Sequence, residues 1–275
     1  MDLIMLWGMA FILFVGIVTL LLRAHHNTKV PSVNHVNLKV GERKERLHIL
    51  HLSDLHMEHI SISPEEIFQM VGTEPIDLIA LTGDYLEKES SITKFASYLE
   101  VLQRLQPKYG IYAVWGNHDY KLSSTMMLQL EQVMKAYDVV LLVNENRTIW
   151  IDEEPLQIVG IDDAYSGHDD IVSSFQGVIN HPRMLTIVLT HDPHTVWDLK
   201  RYHYHYLLCG HFHGGQINWP RPYHLAKMGP MWREDIIKGL HYYNDRAFYI
   251  NEGLGQTGVN IRLRSRPEIT LHQIY

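Results

Sequence analysis

Hydrophobic and polar positions divide the chain into three stretches. Residues 3–22 run apolar without a charge, and Thr19 is their one clear hydroxyl. As a helix at 1.5 Å per residue, such a run spans about 30 Å, the thickness of a bilayer's hydrocarbon core. Only Asp2 precedes the run, which ends in Leu21-Leu22-Arg23-Ala24-His25-His26. A secretory leader wants a basic start, a shorter apolar stretch and a small-x-small cleavage site. With none of these present, residues 1–23 are expected to form an uncleaved transmembrane anchor. Residues 24–46 carry Pro31, Gly41 and several asparagines and charges, and read as a polar connector. Residues 47–275 read as one domain.

Within that domain, strand-like and helix-like patterns take turns. Residues 47–52 alternate and stop at a Ser-Asp turn, and 76–81 are an apolar run stopping at Thr82-Gly83-Asp84. Residues 92–106 put Ile92, Phe95, Leu99 and Leu102 on one helical face. Residues 109–115 read as a strand followed by Gly116-Asn117. Ser123 or Ser124 can cap a helix running to about residue 137. Further strands are expected over 139–143, 147–151, 156–161, 185–190, 205–209, 247–251 and 268–273. The fold class implied is α/β: a four-layer α/β/β/α sandwich of two mixed sheets flanked by helices.

Composition narrows the chemistry. At 46% hydrophobic and 20% charged residues, the chain is globular rather than disordered. A net charge of −7 gives no reason to expect a nucleic acid polymer as partner. A single cysteine, Cys209, excludes an intramolecular disulfide framework and a cysteine-rich metal site; it reads as a small core residue. Histidine is unusually frequent, at 19 residues, so any metal would be held by imidazole and carboxylate. Arg23, Lys29, Lys39, Arg43, Lys44 and Arg46 all follow the apolar run, and none precedes it. That bias favours a single-pass protein of the cell membrane with its large domain facing the cytoplasm.

The polar clusters lie just past the strands, where α/β sheets bind their ligands. They are Asp54-Leu55-His56, Gly83-Asp84, Gly116-Asn117-His118-Asp119, His191-Asp192-Pro193 and Gly210-His211-Phe212-His213. A lone Asp-x-His or Gly-Asp is weak, whereas all five in this order, each at a strand end, are specific. In a strand, positions i and i+2 share a face, so Asp54 and His56 converge if the turn stays extended, as do His211 and His213. Gly210 and Gly214-Gly215 allow backbone to come close to bound ions.

From about residue 47 to the C-terminus, these motifs resemble those of the calcineurin-like metallophosphoesterases, the dimetal phosphoesterase superfamily. The stretch Cys209-Gly-His-Phe-His-Gly-Gly-Gln-Ile217 resembles the bacterial membrane-associated subgroup, which includes UDP-diacylglucosamine pyrophosphatases of lipid A synthesis. The resemblance implies two divalent transition-metal ions, of Mn, Fe, Zn, Co or Ni. It implies Asp54, His56, Asp84 and His213 as ligands of one, and Asp84, Asn117, His191 and His211 as ligands of the other. It also implies hydrolysis of a phosphomonoester, phosphodiester or pyrophosphate by a metal-bridging hydroxide. His118 would stand off the metals and act on the substrate, with Asp119 orienting it. The reading of the residues agrees: two cations about 3.5–4 Å apart need an anionic group between them, and Asp84 supplies it.

Trp219-Pro220-Arg221-Pro222-Tyr223 follows the last motif closely. It offers a substrate-binding pair, Trp219 and Arg221, with Arg221 placed to hold a second phosphate; a crossover loop is the equal alternative. Trp232-Arg233 is a weaker candidate. His168, His224 and His241 read as surface or structural histidines, His203 and His205 as strand faces, Asp162-Asp163 as a solvated turn. Met126, Met127 and Met134 read as core or lid packing. Three functions fit: a membrane-anchored phosphoesterase acting on a small-molecule or lipid-linked phosphate ester, a non-catalytic metal-binding scaffold, and a nucleotide phosphodiesterase of the same fold. Oligomeric state is not legible.

Overall fold

The computed structural model describes residues 3–40, 46–151, 154–179, 181 and 183–275. In chain order, the first half contains α1 (Leu3–Asn27), β1 (Ser32–Leu38), β2 (Leu47–Leu52), α2 (Pro64–Val71), β3 (Leu78–Thr82), α3 (Ile92–Arg104), β4 (Ile111–Val114), α4 (Ser124–Ala136) and β5 (Val139–Leu141). The second half contains β6 (Glu145–Ile151), β7 (Glu154–Gly160), α5 (Ile171–Ser174), β8 (Leu185–Leu189), β9 (Tyr206–Cys209), β10 (Gly239–Tyr243), β11 (Arg246–Ile250) and β12 (Glu268–Ile274).

The described strands form two six-stranded mixed sheets, ordered β1-β12-β2-β3-β4-β5 and β10-β11-β9-β8-β7-β6. Strands β2 to β5 run parallel, as do β7, β8, β9 and β11. Alternation in each strand decides the layers. On β2, Leu47 and Ile49 join one buried cluster with Leu156, Ile158, Ile187 and Leu208 of the other sheet. Leu50 and Leu52, on the opposite face, join Ile67 of α2 and Phe95 and Leu99 of α3. The outer face of the second sheet, with Val159, Val188, Leu207 and Phe248, is covered by Val196, Leu199, Leu225 and Met231. Those covering residues sit on short 3-10 turns at 193–201, 223–228 and 231–234 rather than on long helices. Pro193, Pro222 and Pro230 stand at the starts of these turns, where proline fits an N-terminus but forbids a continuous helix through it.

Three local results differ from the sequence reading. Residues 24–46 are not wholly connector: β1 lies there as an edge strand, parallel to β12. Its apolar content is thin: Val33 packs on one sheet face, and Val36 and Leu38 on the other. Helix α1 also runs past Arg23 to Asn27. Three further elements went unread: the one-turn α5; α2, begun by a Ser63/Glu66 capping box with Pro64 in its first turn; and β10, paired to β11 through an Asn244-Asp245 turn with both φ positive. Gly41, Arg43 and Lys44, counted in the connector and its basic flank, lie outside the described residues. Ser123 caps α4 as expected, accepting from the Met126 amide.

Gly160 marks how tightly β7 ends against the loop after β5. A Cβ there would lie 2.2 Å from Leu142 Cβ and 2.9 Å from Leu142 O. Gly160→Ala is therefore expected to destabilise the full chain by about 1–3 kcal/mol, read as a lowered melting temperature. An unchanged melting temperature would show that this junction yields freely.

Candidate metal centre

The parallel strands of both sheets end at one edge of the sandwich, and the polar clusters meet there. Backbone bonds hold them in place: the Asp54 amide donates to Gly83 O, the His56 amide to Asp84 O and the Gly210 amide to His191 O, at 3.0–3.1 Å. The turns are not extended. Asp54, His56, Asp84, His211 and His213 have φ of 50°, 38°, 57°, 76° and 50°. Left-handed backbone is uncommon outside glycine, and such strain gathers at functional sites. The expectation that Asp54 and His56, or His211 and His213, converge as strand neighbours is thus corrected: each pair converges through left-handed turns. Gly210 makes room for the side chains of Ser53 and Asp54, since a Cβ there would lie 2.0 Å from Ser53 Oγ and 2.2 Å from Asp54 Oδ2. Gly214 and Gly215 instead make room for Glu252 and Pro222.

The expected ligand residues come together as two groups that share Asp84. In the first, His213 Nε2 is 3.2 Å from Asp54 Oδ1, His56 Nε2 is 3.4 Å from Asp84 Oδ2, and the two Nε2 atoms are 3.2 Å apart. In the second, His191 Nε2 is 3.1 Å from Asp84 Oδ2 and 3.2 Å from His211 Nδ1. The ligand-capable atoms of Asp54, His56, Asp84 and His213 lie within 4.8 Å of one another, as do those of Asp84, His191 and His211. Asn117 Oδ1 is buried and has no hydrogen-bond partner. The second ring nitrogen of His191 is also used: its Nδ1 faces Thr82 O at 2.7 Å, which orients the ring.

Burial sharpens the electrostatics. Burial alone would raise the Asp84 pKa, but the neighbouring His191 and His56 outweigh it and hold the carboxyl well below its usual range. For His191, burial acts downward, yet Asp84 and Asp54 win and raise its pKa well above normal. Burial pushes His211 down to about 3 and His213 well below its ordinary value, leaving neutral imidazoles with a lone pair to offer. Two buried carboxylates, four buried imidazoles and an unpaired amide oxygen are the donor set of a divalent transition metal, so the residues present fit such ions. The buried cluster is compatible with a dinuclear site.

His118 stands beside this cluster, its amide donating to Asp84 Oδ1 at 2.7 Å and its ring edge-on to that of His56. Asp119 does not orient it. The Asp119 carboxylate is fully buried and accepts from the amides of Asp84, Tyr85, Leu86 and Gly116 at 2.8–3.3 Å. With four backbone donors to satisfy, it braces the Asp84 loop against the Asn117 loop. His118 Nδ1 lies against Glu87, and Lys121 Nζ is 2.8 Å from the same nitrogen and 3.1 Å from Glu87 Oε1. Glu87 was missed because it sits among charges in Glu87-Lys88-Glu89, and nothing in that run singles it out.

A cavity of about 590 Å³ opens over Asp84, Asn117, His118, His211 and His213. Lys121, His224 and Lys227 add positive or ionisable groups to its wall, and Ile217, Leu225, Met228 and Val259 add an apolar side. Trp219 and Arg221 are not part of it. Each lines a different cavity, because the chain turns outward after Gln216 and leaves both side chains exposed. His224, read as a surface histidine, does line the site. Asp162 and Asp163 are buried, not a solvated turn: Tyr120 donates to Asp162, and the Ser166 amide to Asp163. Cys209 is buried core, as expected.

A fold of two such sheets with this cluster at their common edge is that of a metal-dependent phosphoesterase. The calcineurin-like phosphoesterase family matches residues 47–215, and the chain belongs to that family. A Bacillus subtilis (strain 168) relative named uncharacterized metallophosphoesterase YkoQ is 48% identical over 272 residues, 98% of each chain. The Escherichia coli (strain K12) protein named phosphodiesterase YaeI is 28% identical, over 82% of this chain and 81% of its own. A Chlamydia trachomatis protein named UDP-2,3-diacylglucosamine pyrophosphatase LpxG is 23% identical, over 90% of each.

The two acids near His118 should separate experimentally. Glu87→Gln is expected to lower phosphoester turnover at least about tenfold with the melting temperature kept. Asp119→Asn is expected to lower stability by about 2 kcal/mol or more, since it leaves buried amides short of an acceptor. Reversed phenotypes would return the orienting role to Asp119.

Proposed function

We propose that the chain is a membrane-anchored phosphoesterase using two divalent metal ions, acting on a phosphate ester or pyrophosphate that carries an apolar group. The observation that supports it is one cavity with the two Asp84-sharing donor groups at its floor and a wall that is cationic on one side and apolar on the other. One ion would be held by Asp54, His56, Asp84 and His213, the other by Asp84, Asn117, His191 and His211. When bound, such ions supply a nucleophile at neutral pH by lowering the pKa of a water, and offset phosphoryl charge.

The chain's own residues do the rest. His118 is the group to give a proton to the leaving oxygen; burial lowers its pKa, and Glu87, accepting from Nδ1, keeps its ring turned and works against that lowering. Lys121 and Lys227 draw the phosphate's negative charge to the floor. Ile217, Leu225, Met228 and Val259 take the apolar substituent. Helix α1 suits an anchor: residues 3–23 are exposed hydrophobics ending in Arg23, with the mean hydropathy of a membrane span. The cations Arg23, Lys29 and Lys39 on one side favour a cytoplasmic catalytic domain. The name of LpxG, a pyrophosphatase of a diacylated sugar nucleotide, supports a lipid-linked substrate.

Full chain reconstituted with manganese is expected to carry two metal equivalents by elemental analysis and to hydrolyse bis(p-nitrophenyl) phosphate. His118→Ala should keep both equivalents while turnover falls by about 10² or more. A stoichiometry at or below one, or metal loss in His118→Ala, would overturn the assignment.

A further inference from the structure

We propose that a second cavity, between the last turns of α1 and the C-terminal segment before β12, binds one anionic phospholipid of the leaflet next to the domain; this rests on the reading of α1 as a membrane anchor. The domain does not hang from α1 on a loose tether. The Arg262 amide donates to Ala24 O at 2.9 Å, Asn27 Nδ2 donates to Arg262 O at 2.9 Å, and His25 Nδ1 lies 3.0 Å from Asn260 O. Ala24 and Thr28 are fully buried in this junction. If residues 3–22 span the bilayer, the junction sits at the depth of the lipid phosphates.

The cavity at that depth measures about 620 Å³ and shares no lining residue with the one over Asp84. Its lining is ordered by depth. Leu20 belongs to the apolar run and lies three residues, about 4.5 Å of helix, deeper than Arg23. Leu263 and the exposed Trp219 extend the apolar side, and tryptophan is enriched at this level of a membrane. Arg23, Arg264 and Arg266 form the cationic side, and none of the three makes an ion pair among the described residues. The carboxylate in the cavity, Glu252, is already engaged by Lys238 at 2.9 Å.

Three uncompensated guanidiniums beside an apolar trough match a phosphate with an acyl chain below it, and basic pockets at this level recognise anionic headgroups. A zwitterionic lipid would bring its own cation to the arginines. Free phosphate would leave Leu20, Leu263 and Trp219 unused. The cavity also touches the metal centre's scaffold: Ser265 lines it and donates through Oγ to His213 O at 2.7 Å.

The test uses the full chain in vesicles of phosphatidylcholine alone and of equal phosphatidylcholine and phosphatidylglycerol. Resistance to alkaline carbonate extraction reports the anchor, and native mass spectrometry of the released protein reports retained lipid. Wild type is expected to insert in both, and to retain one phosphatidylglycerol in preference to phosphatidylcholine. The Arg264→Gln/Arg266→Gln double variant should insert equally but retain at least fivefold less phosphatidylglycerol, while Arg147→Gln, on the exposed edge strand β6, should match wild type. Insertion without headgroup preference, or a preference that survives the double variant, would overturn the site alone. Displacement of phosphatidylglycerol by millimolar inorganic phosphate would assign the cavity to free phosphate instead. Extraction from both vesicles would overturn the anchor and the site together.

Discussion

Asp84 is the constraint around which the catalytic half of the chain is built. It is a carboxylate with 1% exposure, placed where the ends of two sheets meet, and Asp54 is a second carboxylate with none. Burying two like charges together costs several kcal/mol each unless the surroundings compensate. The surroundings do: the His118 amide, His191 and His56 reach Asp84, and the His211 amide reaches both oxygens of Asp54 at 3.1–3.2 Å. Aiming so many donors inward takes left-handed backbone at five of the seven expected ligand residues. It also takes a glycine at 116, where a Cβ would sit 2.4 Å from Asp84 Oδ1. Asp119 then anchors the strained loops by collecting four amides. Cations between the carboxylates are the natural completion of this arrangement, which is why chemistry and fold cannot be separated here.

The same loop serves the site and helix α1. Residues 257–259 line the cavity over Asp84, and Asn260 and Arg262 bind the last turn of α1. Arg262 is the keystone. Its guanidinium is fully buried and donates to the carbonyls of Glu252, Gly253, Gly255 and Arg266, and burial lowers its pKa to about 10. A buried arginine whose two terminal nitrogens donate to four carbonyls fixes a loop without needing an opposing charge in contact. The mouth of the cavity over Asp84 is thereby held at a set distance from α1.

Much of this was legible in the sequence because it is written in strand-end motifs. Each cluster from Asp54 to His213 ends an apolar run, and the runs' ends are where parallel strands deliver side chains to one edge. The illegible parts have particular causes. Periodicity cannot see a left-handed turn at a non-glycine residue, so the convergence of Asp54 with His56 was assigned to the wrong backbone. Closeness in sequence left a substrate-binding role and a crossover loop as equal readings of Trp219 and Arg221, and both residues line cavities other than the one over Asp84. Glu87 was hidden among neighbouring charges, and Asp162-Asp163 looked solvated because paired acids usually are. Strand β1 escaped because an edge strand can be held by backbone pairing with little apolar content.

The central claim is that one carboxylate, Asp84, joins two metal ions. Electron paramagnetic resonance of the full chain titrated with manganese(II) tests it most directly, because ions sharing a carboxylate bridge are magnetically coupled and separated ions are not. The expected result is a coupled-pair spectrum growing in wild type and absent in Asp84→Asn at the same loading. A wild-type spectrum of isolated ions at saturation, unchanged by Asp84→Asn, would contradict it.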